Sequence, residues 1–76
     1  MVKAYLFIVV KKGGEKIVAE KIRNMTGITD VSELYGEYDI IAKVEKKDME
    51  DLQKFLTNEI RAVDEVERTS TMITVK

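Results

Sequence analysis

The stretch Val2-Lys3-Ala4-Tyr5-Leu6-Phe7-Ile8-Val9-Val10 limits what this chain can fold into more than any other segment. β-branched and aromatic residues dominate it, which favours a strand over a helix. Its two faces are Val2, Ala4, Leu6, Ile8, Val10 and Lys3, Tyr5, Phe7, Val9, Lys11. Both are apolar at the centre, so a sheet holding this strand needs cover on both sides. Gly13-Gly14 then ends it.

From Glu15 the apolar period changes to that of a helix. Ile17, Val18, Lys21, Ile22 and Met25 share one side, and Glu15, Lys16, Glu20 and Arg23 the other. The pattern predicts an amphipathic helix of about three turns, stopped by Thr26-Gly27. Val31 to Tyr35 reads as a second strand and Tyr38 to Glu45 as a third, with Gly36-Glu37 as a tight hairpin loop between them. Asp48 is suited to cap a second helix, with Asp51 as its partner three residues on. Met49, Leu52, Phe55, Leu56, Ile60 and Val63 form that helix's apolar stripe, and Glu65 to Val75 reads as the last strand. A weak internal echo matches Ile17, Lys21, Met25, Ile28 and Val31 to Leu52, Leu56, Ile60, Val63 and Val66, as two βαβ halves would.

The order β-α-β-β-α-β predicts an α+β, ferredoxin-like sheet with both helices on one face. The remaining face would then carry one side of the first strand, and a face-to-face dimer through the sheets is the expected cover.

Composition removes most chemistry. The chain has 76 residues with no Cys, His, Trp or Pro, so it has no zinc cage, imidazole catalyst or disulfide framework. Only carboxylates could hold a metal, and no EF-hand spacing is present. No catalytic residue, metal site or cofactor is expected. Thirteen basic and fourteen acidic residues give a net charge of −1, which offers no footprint for a nucleic-acid backbone. The apolar run Tyr5 to Val10 is too short to span a membrane. A cytoplasmic protein is the expectation. The bias of charged residues toward Lys and Glu, with few Gln and Asn, fits a heat-adapted source. So short a chain also gains little stability from one core, which again favours oligomers.

Two segments could bind something. Leu34-Tyr35-Gly36-Glu37-Tyr38-Asp39 places a glycine, two tyrosines and an acid at a hairpin. There Asp39 could accept from an amine while amides near Gly36 meet a carboxylate. The same residues also suit a plain hairpin, with Gly36 for the turn, Tyr38 packing and Asp39 solvated. Arg68-Thr69-Ser70-Thr71 is either a wet β-strand face or the lining of a polar pocket. Gly13-Gly14 lacks phosphate-loop spacing, although Lys11 and Lys12 beside it keep anion binding open.

The run Gly36-Glu37-Tyr38-Asp39-Ile40-Ile41-Ala42-Lys43-Val44, followed by Asp48, Leu52, Phe55, Leu56, Val63, Val66 and Arg68-Thr69-Ser70-Thr71, resembles the effector (RAM) domain of the Lrp/AsnC, or feast/famine, transcriptional regulators. The resemblance spans essentially the whole chain, 1–76 being read as one such domain. It implies a dimeric α+β barrel of face-to-face sheets, assembled into rings of four or five dimers, an octamer or a decamer. It also implies an amino-acid effector held between dimers. On that basis Gly36, Glu37, Tyr38 and Asp39 are expected to bind ligand, with Thr69, Ser70 and Thr71 lining the site from the last strand. Full-length members carry a helix-turn-helix ahead of this domain, whereas this sequence starts at the first strand. The expectation is therefore a stand-alone, non-enzymatic module that senses amino acids or co-assembles with full-length regulators. An ACT-type regulatory domain and a cofactor-independent enzyme on a dimeric α+β barrel share the element order.

Overall fold

The computed structural model of the chain describes residues 1–75. Its elements are β1 (Val2–Val10), α1 (Glu15–Arg23), β2 (Ile28–Glu33), β3 (Ile40–Lys46), α2 (Met49–Phe55) and β4 (Val66–Ile73). The strands form one antiparallel sheet in the order β2-β3-β1-β4. The ferredoxin-like β-α-β-β-α-β arrangement read from the sequence is present.

β1 sits inside the sheet, so its backbone is paired on both edges, with Leu6 opposite Ala42 of β3 and Thr71 of β4. Its even-numbered residues Ala4, Leu6, Ile8 and Val10 are buried, together with Ile40, Ala42 and Val44 of β3. Val18, Ala19 and Ile22 of α1 and Leu52 and Phe55 of α2 complete the same core. Both helices therefore cover one face of the sheet. Each of the larger buried side chains contributes about 1.5–3 kcal/mol through its removal from water. Tyr5, Phe7 and Val9 point to the opposite, open face, where Ile41 and Lys43 flank them across the strand pair and all five are only half-buried.

Several expected boundaries shift, for local reasons. β2 begins at Ile28 and stops at Glu33, and β3 begins at Ile40, where the sequence suggested Val31 to Tyr35 and Tyr38 to Glu45. The connection is not a two-residue turn at Gly36-Glu37 but a wider loop, closed by a hydrogen bond from Leu34 N–H to Asp39 O of 2.8 Å. Asp39 takes part with its side chain, so regular pairing resumes only at Ile40. β4 is shorter than Glu65 to Val75, although Lys11 N–H still bonds Glu65 O (2.7 Å) and Thr74 N–H bonds Lys3 O (2.9 Å) beyond its two ends.

In α1, Ile17 is 49% exposed, and Ala19 occupies the core instead. This breaks the internal echo at its first pair, because Leu52 is 1% exposed. The N-cap at Asp48 is as expected, its Oδ1 accepting from Asp51 N–H at 2.8 Å. The stripe of α2 changes phase, however. Met49 is 42% exposed, and a π-helical turn at Leu56–Ile60, with Arg61 N–H bonding Leu56 O (3.0 Å), adds a residue to the repeat. An unbroken α-helix would turn Glu59 inward after Phe55. The wider turn buries Ile60 instead.

Candidate functional site

The antiparallel order brings the loop after β1 and the loop before β3 to the same end of the sheet. In the first loop Gly13 adopts φ +82°, a conformation that glycine holds without strain. Gly14 N–H bonds Lys11 O at 2.9 Å, and a side chain at Gly14 would press on Glu65 Cβ at 3.0 Å. Gly14 also occupies the N-cap of α1 without any side-chain cap. Val18 N–H is the amide that bonds back to Gly14 O, at 3.0 Å. The preceding amides of the first turn thus keep their donors directed out of the helix end.

In the second loop Asp39 is anchored twice to β1. Its N–H bonds Ile8 O at 2.9 Å, and its Oδ2 accepts from Val10 N–H at 2.9 Å. The carboxylate thereby extends the β1–β3 ladder by one bond while remaining half-buried. Between the two loops lies an open groove of about 640 Å³. Gly13, Glu15 and Lys16 line one side, and Glu33, Leu34, Tyr35 and Asp39 line the other. It brings three carboxylates, one ammonium and an uncapped helix start around one space.

The remaining sequence-predicted site residues are dispersed. Gly36 and Glu37 are exposed at the loop tip and do not line the groove. Tyr38 turns to the open sheet face, its ring 5.4 Å from that of Phe7 and 5.8 Å from the Arg68 guanidinium. Thr69 and Thr71 stand opposite Ile8 and Leu6, on the helix-covered side. They line a separate groove of about 280 Å³ with Gln53, Leu56, Thr57 and Arg61. Ser70 stands opposite Phe7 on the open face. Within one chain, only Asp39 of the seven reaches the larger groove. Gly13, Glu15, Lys16 and Glu33 are the lining residues that the motifs did not single out. The signal for the first three was the Gly13-Gly14 pair directly before a helix, read only as a strand breaker with a faint anion-binding leaning.

Among the described residues, no group of three or more acidic side chains is placed to hold a metal ion. None of their helices is long and apolar enough to cross a membrane.

Residues 3–76 match the family described as the Lrp/AsnC ligand binding domain. The chain belongs to that family. Among relatives of this Lrp/AsnC domain is the HTH-type transcriptional regulator FL11 of Pyrococcus furiosus, 37% identical over 96% of this chain and 48% of the regulator. FL11 of Pyrococcus horikoshii is 36% identical over the same shares. The chain spans about half the length of these curated relatives. A homocitrate synthase of Sulfurisphaera tokodaii is also similar, 39% identical over 78% of this chain but only 13% of the synthase. Of solved structures, a hypothetical protein of Pyrococcus horikoshii superimposes with a TM-score of 0.95 at 41% identity, over 100% of this chain and 92% of that one. AsnC of E. coli superimposes with a TM-score of 0.93 at 26% identity, over 99% of this chain and 51% of AsnC.

Proposed function

We propose that this Lrp/AsnC domain is a non-enzymatic, oligomeric module that senses a free amino acid. The observation that carries the reading is the groove between Gly13–Lys16 and Glu33–Asp39, which sets acceptors and donors opposite one another. An α-amino acid needs one of each at close range. Asp39 supplies the acceptor for its ammonium through Oδ1, since Oδ2 already takes Val10 N–H. The first-turn amides of α1, together with Lys16, supply donors for its carboxylate.

In this reading the loop tip at Gly36 and Glu37 flanks the groove, and Thr69 and Thr71, which share one face of β4, reach the ligand from a neighbouring subunit, whereas Tyr38 and Ser70 belong to the open sheet face. Oligomerisation is supported by the open sheet face. Tyr5, Phe7, Val9 and Ile41 put a contiguous apolar strip there, and pairing two such faces recovers about 25 cal/mol per Å² of apolar area buried. Dimers of this kind then join into a ring and co-assemble with full-length regulators in the cytoplasm. The relatives fit a sensing role better than a catalytic one, because a segment like this occurs in transcription regulators and in part of a synthase. What such different proteins can share is a regulatory binding unit.

Calorimetric titration with each of the twenty amino acids tests the proposal. Saturable binding of at least one, lost in Asp39→Asn, is expected. Absence of binding across the set, or binding unchanged in the variant, refutes it.

A further inference from the structure

Lys46 ends a row of core positions. Ile40, Ala42, Val44 and Lys46 fall on one side of β3, the side covered by the helices, and the first three are fully buried. The last place in the row, opposite Val2 of β1, is taken by an ammonium. Its stem continues the apolar row while the charged end reaches the edge of the core.

Two elements meet that charge. Lys46 Nζ donates to Thr26 O at 2.8 Å, in the loop that follows α1. It also lies 4.3 Å from the centre of the Phe55 ring in α2, a side chain only 2% exposed. A cation is favoured over an aromatic face and beyond the C-terminal end of a helix, and both attractions vanish with the charge. Among the described residues the ion pairs are Lys21 with Glu65 and Lys54 with Glu50, so no carboxylate there shares in holding Lys46. The loop is closely fitted to the side chain: a Cβ at Gly27 would stand 3.0 Å from Lys46 Cε and 3.1 Å from its Nζ. The Thr26-Gly27 segment, a helix stop by sequence, therefore passes directly over the lysine. At this corner one ammonium joins the end of α1 to α2. Lys46 is half-buried and Thr26 beside it exposed, which leaves a small reagent a route to the amine.

We propose that Lys46 is a site of Nε-acylation and that the modification opens the corner between α1 and α2. The donor is an acyl thioester. Its C–S bond breaks, an amide C–N bond forms at Nζ, the thiol leaves, and the proton of the ammonium passes to solvent. The product keeps an N–H but carries no charge, so it loses its attraction to the Phe55 ring and to the end of α1. Dimethylation adds comparable bulk yet keeps the charge and one N–H, and the corner stays closed.

The native protein and Lys46→Arg, each treated with an acetyl thioester or by reductive dimethylation, form the test, read by hydrogen exchange with mass spectrometry. Acetylation of the native protein should speed exchange at least tenfold in peptides spanning Met25 to Ile28 and Leu52 to Leu56, and dimethylation should not. Lys46→Arg keeps a cation and lacks the acylation site, so neither treatment should speed its exchange although its other lysines react. Lys46→Met keeps the stem without the charge and should exchange like the acetylated protein with no reagent added. An equal rise on acetylation in the native protein and Lys46→Arg overturns the proposal. So does a Lys46 that stays unacetylated under conditions that modify the exposed Lys47.

Discussion

Asp39 Oδ2 accepts a hydrogen bond from Val10 N–H at 2.9 Å, across the end of the β1–β3 pair. One carboxylate thus completes the sheet and faces the groove, so a simple truncation confuses two roles. Asp39→Ala strips Val10 N–H of its partner in a half-buried position, and unfolding in urea should show a loss of about 1–3 kcal/mol. Asp39→Asn keeps a carbonyl oxygen for Val10 and should stay within about 1 kcal/mol of the native protein. Equal destabilisation by the two would mean that the charge, not the acceptor, holds this corner.

The glycines separate in the same way. At Gly27, with φ +95°, an added Cβ would sit 2.8 Å from Glu45 O, and Gly27 O already receives Glu45 N–H at 2.8 Å. Gly36 has φ +139° but open space around it. Alanine at 27 combines backbone strain with a clash against main chain that cannot move aside, for a loss of about 2 kcal/mol or more. Alanine at 36 meets strain alone, about 1 kcal/mol. Thermal melts of the two variants check the order.

The π-helical turn predicts which neighbour matters in α2. Ile60 is fully buried and Glu59 exposed. Ile60→Ala should remove about 2–5 kcal/mol, enough to unfold a chain of this size. Glu59→Ala should change stability by less than about 0.5 kcal/mol. The opposite ranking in chemical denaturation would mean that the helix runs on with an unbroken α repeat.

Phe7 lies on the open sheet face, outside the core. Phe7→Glu should therefore leave the helical circular dichroism signal in place while shifting the protein to smaller species in sedimentation. Leu6→Glu, one residue away but fully buried, should abolish folding instead. A Phe7→Glu protein that sediments like the native one would remove this face from the assembly.

The element order and the two-faced character of β1 were legible from the sequence, because both follow from residue type and period. Which face of β1 meets the helices was not. Leu6, Ile8 and Val10 are as apolar as Tyr5, Phe7 and Val9, and only tertiary packing separates them. Ile17 misled for a related reason: helical spacing places it beside Val18, but the sheet surface accepts the smaller Ala19. The phase change at Leu56–Ile60 leaves little local signature, since the pattern reads as one stripe either way. At the site, Asp39 could be picked out as an acid beside a glycine turn. Its groove partners Lys16 and Glu15 could not, because they are distant in sequence and reach it only through the sheet order. Thr69, Ser70 and Thr71 looked like one cluster, yet strand alternation sends Ser70 to one face and its neighbours to the other.

The central claim is that an amino acid occupies the groove between the first and second loops. Hydrogen exchange read by mass spectrometry, with and without a saturating mixture of the twenty amino acids, examines it most directly. New protection is expected in peptides covering Lys11 to Ile17 and Glu33 to Ile40. Protection confined to the Arg61, Thr69 and Thr71 groove, or none anywhere, would contradict it.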